Sequence, residues 1–414
     1  MPKKEKKAVF TALEKKSIYS LSSIFFFRMF GLFLVLPVFS LLALDLEGAS
    51  PLLIGIAFGG YGLTQALLQI PFGLWSDRIG RKPVIAFGLI LFIAGSAIGT
   101  VAEGIYWMIF ARLLQGAGAI SSPIFALIAD LTRPEVRARA NAGLGASIGM
   151  AFGLAFFAAP FLGSWMGLGG IFGSITIMAT VSLVILLTSV PTPEQTIYSG
   201  SSWSMFKAVL RIPPLLTIDF GALVCSMGLS TTFFMTPLIL SQYGFEKSDL
   251  WKVYLPMLLL GGIAMVFAAI LAEVKKRFRE VMLVGAGLLF FSFIFSWLGY
   301  SLEMLPLYIA ALFMFFMGFN VFEPIFPSLI TRMTSSHTKG TASGVYSFSS
   351  FMGNFLGAAA AGLLYQRASF LLFLLLIGMT AVFFYLIRSF PNPENTVRVP
   401  DEAKSGVAVG EQSY

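Results

Sequence analysis

The sequence predicts an all-α membrane protein, with twelve transmembrane helices arranged as two pseudo-symmetric six-helix bundles. Three observations carry that prediction. The first is composition: 57% of the 414 residues are hydrophobic and only 12% charged, against roughly 25% charged in a soluble domain. No water-soluble core could hide so much apolar surface, so the solvent is lipid. The 43 Phe suit acyl chains and the 41 Gly suit close helix packing. The second is segmentation into apolar runs, each near the ~20 residues that a spanning helix needs. The third is the sorting of basic residues to one side of those runs.

In order, the chain opens with a basic tail, 1–17, carrying Lys3, Lys4, Lys6, Lys7, Lys15 and Lys16. No small-residue cleavage pattern follows, so it reads as a retained cytoplasmic tail and not a removed signal. Six spans are expected at 18–44, 51–75, 83–102, 106–130, 138–164 and 169–190, giving an N-terminal bundle over 18–190. Between the second and third lies Gly73-Leu74-Trp75-Ser76-Asp77-Arg78-Ile79-Gly80-Arg81-Lys82-Pro83, a burst of charge between uncharged runs. A chain that reverses so tightly between spans must leave those charges in water. The segment 191–213 holds Pro191, Pro193, Pro213, Glu194, Lys207 and Arg211, and is the one long polar connection. Six more spans follow at 214–241, 251–272, 281–300, 304–331, 340–365 and 369–388, giving a C-terminal bundle over 214–388. The tail 389–414 is polar.

With the amino terminus inside, 23 of the 28 Lys and Arg fall on the cytoplasmic side. Only Lys247, Lys252 and Arg367 fall outside, and Arg28 and Arg112 lie within spans. This places a multi-pass chain in the inner (cytoplasmic) membrane with both termini cytoplasmic. The net charge of +8 is thus a topology signal and implies no nucleic-acid partner. A faint repeat supports the two halves: Pro123-Ile124-Phe125 recurs as Pro324-Ile325-Phe326, and Gly149 and Gly153 find echoes in Gly353 and Gly357. The turn with Glu273, Lys275, Lys276, Arg277 and Arg279 falls where a second copy of the opening hairpin belongs. Six spans separate the copies, so the halves insert alike, about an axis along the membrane normal.

Cys225 is the only cysteine and His337 the only histidine, which excludes a disulfide framework, a thiolate metal site and paired-imidazole metal chemistry. No nucleotide loop or nucleophile–base set appears, so an enzyme is not expected. His337 falls on the loop between spans ten and eleven and reads as solvated.

Gly73-x-x-x-Asp77-Arg78-x-Gly80-Arg81-Lys82, after the second of twelve spans, closely resembles the loop 2–3 signature of the major facilitator superfamily. Arg112-Leu113-Leu114-Gln115-Gly116 in the fourth span is similar to that family's R-x-x-Q-G motif. Arg28–Val38, Ile70–Gly73 and Asp130–Arg133 make the N-terminal half most like the YajR-like drug/proton antiporter subset. The extra soluble C-terminal domain of that subset is not expected here. One antiporter hallmark differs: where the fifth span usually carries glycines, this chain has Ala146, Ala155, Ala159, Gly163 and Ser164. Small size is kept, so close helix packing is expected to survive.

The resemblance implies alternating access, with Gly73, Asp77, Arg78, Gly80, Arg81 and Lys82 as a conformational latch. It also implies that Asp77 faces the amino end of the eleventh helix near Gly340–Ser343, and that Arg81 pairs with Asp130. The alternative is that these charges only set topology. Glu323 stands out from its residue type alone, because a carboxylate well inside an apolar span is costly unless paired, protonated or wet. It reads as a proton carrier, or else as a structural carboxyl bonded to a carbonyl. Asp219 and Asp130 are further proton-coupling candidates, Asp219 being equally open to simple solvation. Arg112 carries the family's proton-transfer role or pairs with backbone carbonyls. Arg28 binds an anionic substrate, tunes a nearby acid or simply packs. Phe33, Gln65, Gln69, Asn320, Phe322, Tyr346 and Asn354 are candidate walls of a mostly apolar cavity.

The leading expectation is a proton-coupled antiporter that exports small apolar or amphipathic compounds. It would need no cofactor beyond the proton gradient; its partners would be the substrate, protons and the bilayer, and it would act as a monomer. An importer or facilitator of a polar metabolite or metal chelate is the alternative, as is a non-transporting sensor or scaffold on the same fold.

Overall fold

The structure, a computed structural model, describes residues 9–192, 203–334 and 338–391. His337, Lys3, Lys4, Lys6 and Lys7, part of the 191–213 connection and the tail from 392 lie outside the described residues. Regular structure among the described residues is helical, apart from one isolated bridge between Glu47 and Gly104.

The spans are α1 (Ala12–Val35), α2 (Pro51–Ile79), α3 (Arg81–Thr100), α4 (Ile105–Asp130), α5 and α6 (134–166 and 168–189), α7 (Pro213–Gln242), α8 (Lys247–Val274), α9 (Phe278–Ser301), α10 (Leu305–Met333), α11 (Lys339–Leu364) and α12 (Ser369–Arg388). The fifth and sixth form one helical run, Pro134–Ser189, until Gly167 turns the backbone over at φ 64°. Counting the two sides of Gly167 separately, the described residues hold twelve helical segments of spanning length. Thr11 and Glu14 cap α1 reciprocally, and proline opens α2, α5 and α7 at positions where its missing N–H costs nothing. Gly80, at φ 102°, joins α2 to α3, a backbone setting that other residues rarely adopt.

Three expected elements differ in detail. The first span stops as an α-helix at Val35, and a turn over Pro37 leads into Phe39–Leu42 and Ala43–Asp45. The fourth is broken into Ile105–Ala117 and Ser121–Asp130. Gly118 packs on the carbonyl of Gly88 in α3 where no side chain fits, and Pro123 has no N–H to return to Ala119. The 191–213 connection contains a short helix, Trp203–Val209.

The halves meet along α2 and α11. Added to Gly59, a Cβ would lie 2.9 Å from the Phe355 Cα; added to Gly62, it would lie 2.8 Å from the Phe351 carbonyl oxygen. The echoed glycines differ in their surroundings. Gly353 and Gly357 press on the backbone of α7 at Leu223 and Met227, whereas Gly145, Gly149 and Gly153 of α5 have nothing within 4 Å. Sequence symmetry is thus not packing symmetry.

Candidate functional site

Arg28 is 1% exposed and sits where α4 breaks. Its Nη2 donates to the carbonyl of Gly118 (2.7 Å) and to Gln65 Oε1 (3.0 Å), and its Nη1 to Ser121 Oγ (3.2 Å). The guanidinium thus bridges both sides of the gap, adding a second donor to the Gly118 carbonyl, which also accepts from Ile120 N–H at 2.9 Å. Gln65 passes the chain on, donating to Gln69 Oε1 at 2.9 Å. Phe92 lies under the guanidinium at 5.7 Å. Among the described residues no acid pairs with it.

Arg112, 2% exposed, turns toward α2. It donates to the carbonyls of Ala57 (3.4 Å) and Phe58 (3.3 Å) and to Gln115 Oε1 (2.9 Å). Tyr61 and Phe39 cover its faces at 5.2 and 5.9 Å, an arrangement that favours a cation. Gln115 Nε2 in turn donates to Ser96 Oγ at 2.8 Å. Backbone carbonyls, one of the two expectations for Arg112, are among its acceptors. Gln115 and Ser96 had no assigned role in the sequence, although Gln115 stands inside the R-x-x-Q-G motif.

At the end of the bundle that carries the α2–α3 hairpin, here the basic end, Arg81 is buried between two acids. It pairs with Asp77, and its Nε lies 3.3 Å from Asp130 Oδ2. Arg81 Nη1 donates to Ser76 Oγ at 2.8 Å. Lys82 Nζ donates to the carbonyl of Val190 at 2.7 Å, just past the C-terminal end of α6, where a cation is favoured. Arg78 is exposed, and a Cβ on Gly73 would stand 3.2 Å from Ser122 Oγ. The second half answers with opposite polarity: Glu273 at the end of α8 binds Arg332 and Ser328 of α10. Glu14 forms another link missed in the sequence. Its carboxylate takes donors from Arg133 at 2.9 and 3.1 Å, while Arg133 Nη2 also reaches the Val9 carbonyl.

In the C-terminal half Glu323 is exposed in mid-span, and no hydrogen bond or ion pair holds it among the described residues. The helices α7, α8, α9 and α11 all pack against α10. Tyr346 of α11 and Cys225 of α7 lie within electrostatic reach of Glu323. Asp219 is 8% exposed one helical stretch nearer the basic end. Phe322, expected as a cavity wall, is 2% exposed, stacked on Phe326 and tilted against Phe383 inside its own half. Asn320 Nδ2 bonds the Phe316 carbonyl (2.8 Å), Asn354 is half-buried near Gly62, and Phe33 packs edge-on against Phe152 (4.8 Å).

The opposite end is shut. Lys247 Nζ lies 3.4 Å from Asp45 Oδ2 across the halves, and Tyr254 Oη donates to the Pro37 carbonyl at 3.2 Å. Below them an aromatic seal spans both halves: Phe156 meets Phe233 at 4.7 Å, Phe152 meets Phe316 at 5.9 Å, and Phe58 meets Phe234 at 6.4 Å. A crevice of about 150 Å³ between Leu44, Phe234 and Tyr365 remains there.

Two like-built helical halves, sealed together at one end and carrying in mid-span an acid that no described residue pairs, fit a membrane transporter. The chain belongs to the Major Facilitator Superfamily, whose pattern matches residues 21–358. It is similar to the inner membrane transport protein YajR of Escherichia coli, with 39% identity over 352 residues, 84% of this chain and 77% of that one. It is also similar to the multidrug resistance protein MdtH of Yersinia enterocolitica, 36% identical over 111 residues, 26% of this chain and 28% of that one. A solved D-xylose–proton symporter shares the fold at a TM-score of 0.75, with 14% identity over 93% of this chain and 99% of the other.

Proposed function

We propose that this transporter is a proton-coupled antiporter of the inner membrane, exporting small apolar or amphipathic compounds by alternating access. The observation that carries the reading is Glu323: an exposed carboxylate in mid-span with no hydrogen bond or ion pair among the described residues. Such a group can lose its proton only where water or substrate reaches it, so its protonation couples to whichever end is open. In this structure the Asp45–Lys247 end is sealed, which leaves the basic end as the route by which Glu323 would exchange protons. The excess of Lys and Arg there supports a cytoplasmic orientation. The Asp77–Arg81–Asp130 cluster at that end is the latch that must rearrange when the halves pivot. Similarity to the transport protein YajR, and over a shorter stretch to the multidrug resistance protein MdtH, supports efflux.

The test is substrate movement in proteoliposomes with and without an imposed pH gradient, run on a panel of lipophilic compounds. The wild type should move at least one compound against its gradient when protons flow the other way, and Glu323→Gln should lose the gradient dependence. Transport that ignores the pH gradient would overturn proton coupling and leave the fold untouched.

A further inference from the structure

The crevice of about 150 Å³ at the sealed end lies between the halves and draws a wall from each. Pro51 and Ile54 of α2 line one side; Phe234, Leu238 and Gln242 of α7, with Tyr365 just past α11, line the other. Beside it α2 and α11 touch at the backbone, for a Cβ on Gly55 would stand 3.0 Å from the Gly362 Cα. Phe234 belongs to crevice and seal alike: it meets Phe58 across the halves and Tyr365 within its own half, both at 6.4 Å. A space of this size takes one benzene-sized ring, and these aromatic faces suit one.

The polar part of the crevice is a hydrogen-bonded pair. Gln242 Nε2 donates to Tyr365 Oη at 3.0 Å. Whichever way that amide is turned, the pair keeps at least one donor and one acceptor for a further partner. Tyr365 is 5% exposed and Gln242 is exposed, so the crevice is apolar within and polar at its mouth. No charged side chain lines it among the described residues, and an ion entering would lose hydration without gaining a counter-charge. A neutral ring compound bearing one amide or hydroxyl matches both parts. Because the walls belong to different halves, a pivot that parts the sealed end takes the crevice apart. A ligand that fits here therefore favours the sealed state by its differential affinity.

We propose that this crevice binds small neutral ring compounds carrying an amide or hydroxyl, and that its occupancy holds the sealed state. The second half of the proposal rests on the alternating-access reading. Benzamide is the probe, followed by saturation-transfer NMR on the full chain in nanodiscs, with protein-free nanodiscs as the blank. The expected Kd is on the order of 1 mM for so small a ligand. Gln242→Leu, on the exposed mouth, and Tyr365→Phe, which keeps the ring, should each weaken binding about fivefold, the scale of one hydrogen bond. An affinity does not depend on the folded fraction, so partial misfolding of either variant does not obscure it. For the state, spin labels on the exposed residues Asn141 and Thr331, in a Cys225→Ser background, report the far, basic end. At a pH where both conformations are populated, benzamide should raise the population with that end open, and Gln242→Leu should need about fivefold more. Binding no greater than the blank, affinities unchanged in both variants, or a distance distribution unmoved by saturating benzamide would overturn the proposal. Neither measurement uses a transported substrate or a pH gradient, so these outcomes are separate from those of the proton-coupling assay.

Discussion

Glu14, ahead of the first apolar run, shows how a single side chain ties segments together. Hydrogen bonds from Arg133 hold its carboxyl down from 4.5 to about 2. A depressed carboxylate stabilises the fold above its ordinary pKa, and that contribution is lost as pH falls through the depressed value. Acidification from about pH 5 to about pH 3 should therefore lower the Tm of detergent-solubilised wild type more than that of Glu14→Gln. Equal shifts would show that the clamp does not contribute. The sequence displayed Glu14 and Arg133 as ordinary charges near the ends of spans; nothing in their spacing, 119 residues apart, says that they meet. Arg28 and Arg112 were legible as intramembrane cations because any charge in a hydrocarbon run is conspicuous. Their partners were not, since half are backbone carbonyls of other helices, and one of those, on Gly118, lies at the break in α4.

At the scale of elements, hydropathy reports length and so located the spans, but it is blind to backbone direction. The break at 118–120 and the stop at Val35 left no mark on it, although Gly118 and Pro37 were punctuation in plain view. Glycine identity is equally mute about neighbours. Gly59 is pressed on Phe355 and Gly149 faces open space, yet both look alike as letters. Gly59→Leu should therefore wedge α2 from α11 and lower the Tm by several degrees or abolish folding, while Gly149→Leu should fold with a Tm near that of wild type. Similar Tm losses in both would contradict the close seam and the open face.

For the whole molecule, the two-half plan was readable from six-plus-six counting and one shared tripeptide, because like-oriented copies must repeat their apolar runs in step. The state of the molecule was not, for the Asp45–Lys247 pair and the aromatic seal join residues far apart in the chain whose contact depends on how the halves tilt. If the halves pivot as units, opening one end must close the other. Pulsed electron-spin distances can follow both ends at once in a Cys225→Ser background. One label pair goes on Asp45 and Lys247 at the sealed end, and another on Asn141 of α5 and Thr331 of α10, both exposed, toward the basic end. As pH is changed, the two distances should shift in opposite directions and by matching populations, and Glu323→Gln should remove the pH response. Distances that lengthen together, or that stay fixed at every pH, would contradict alternating access governed by that carboxylate.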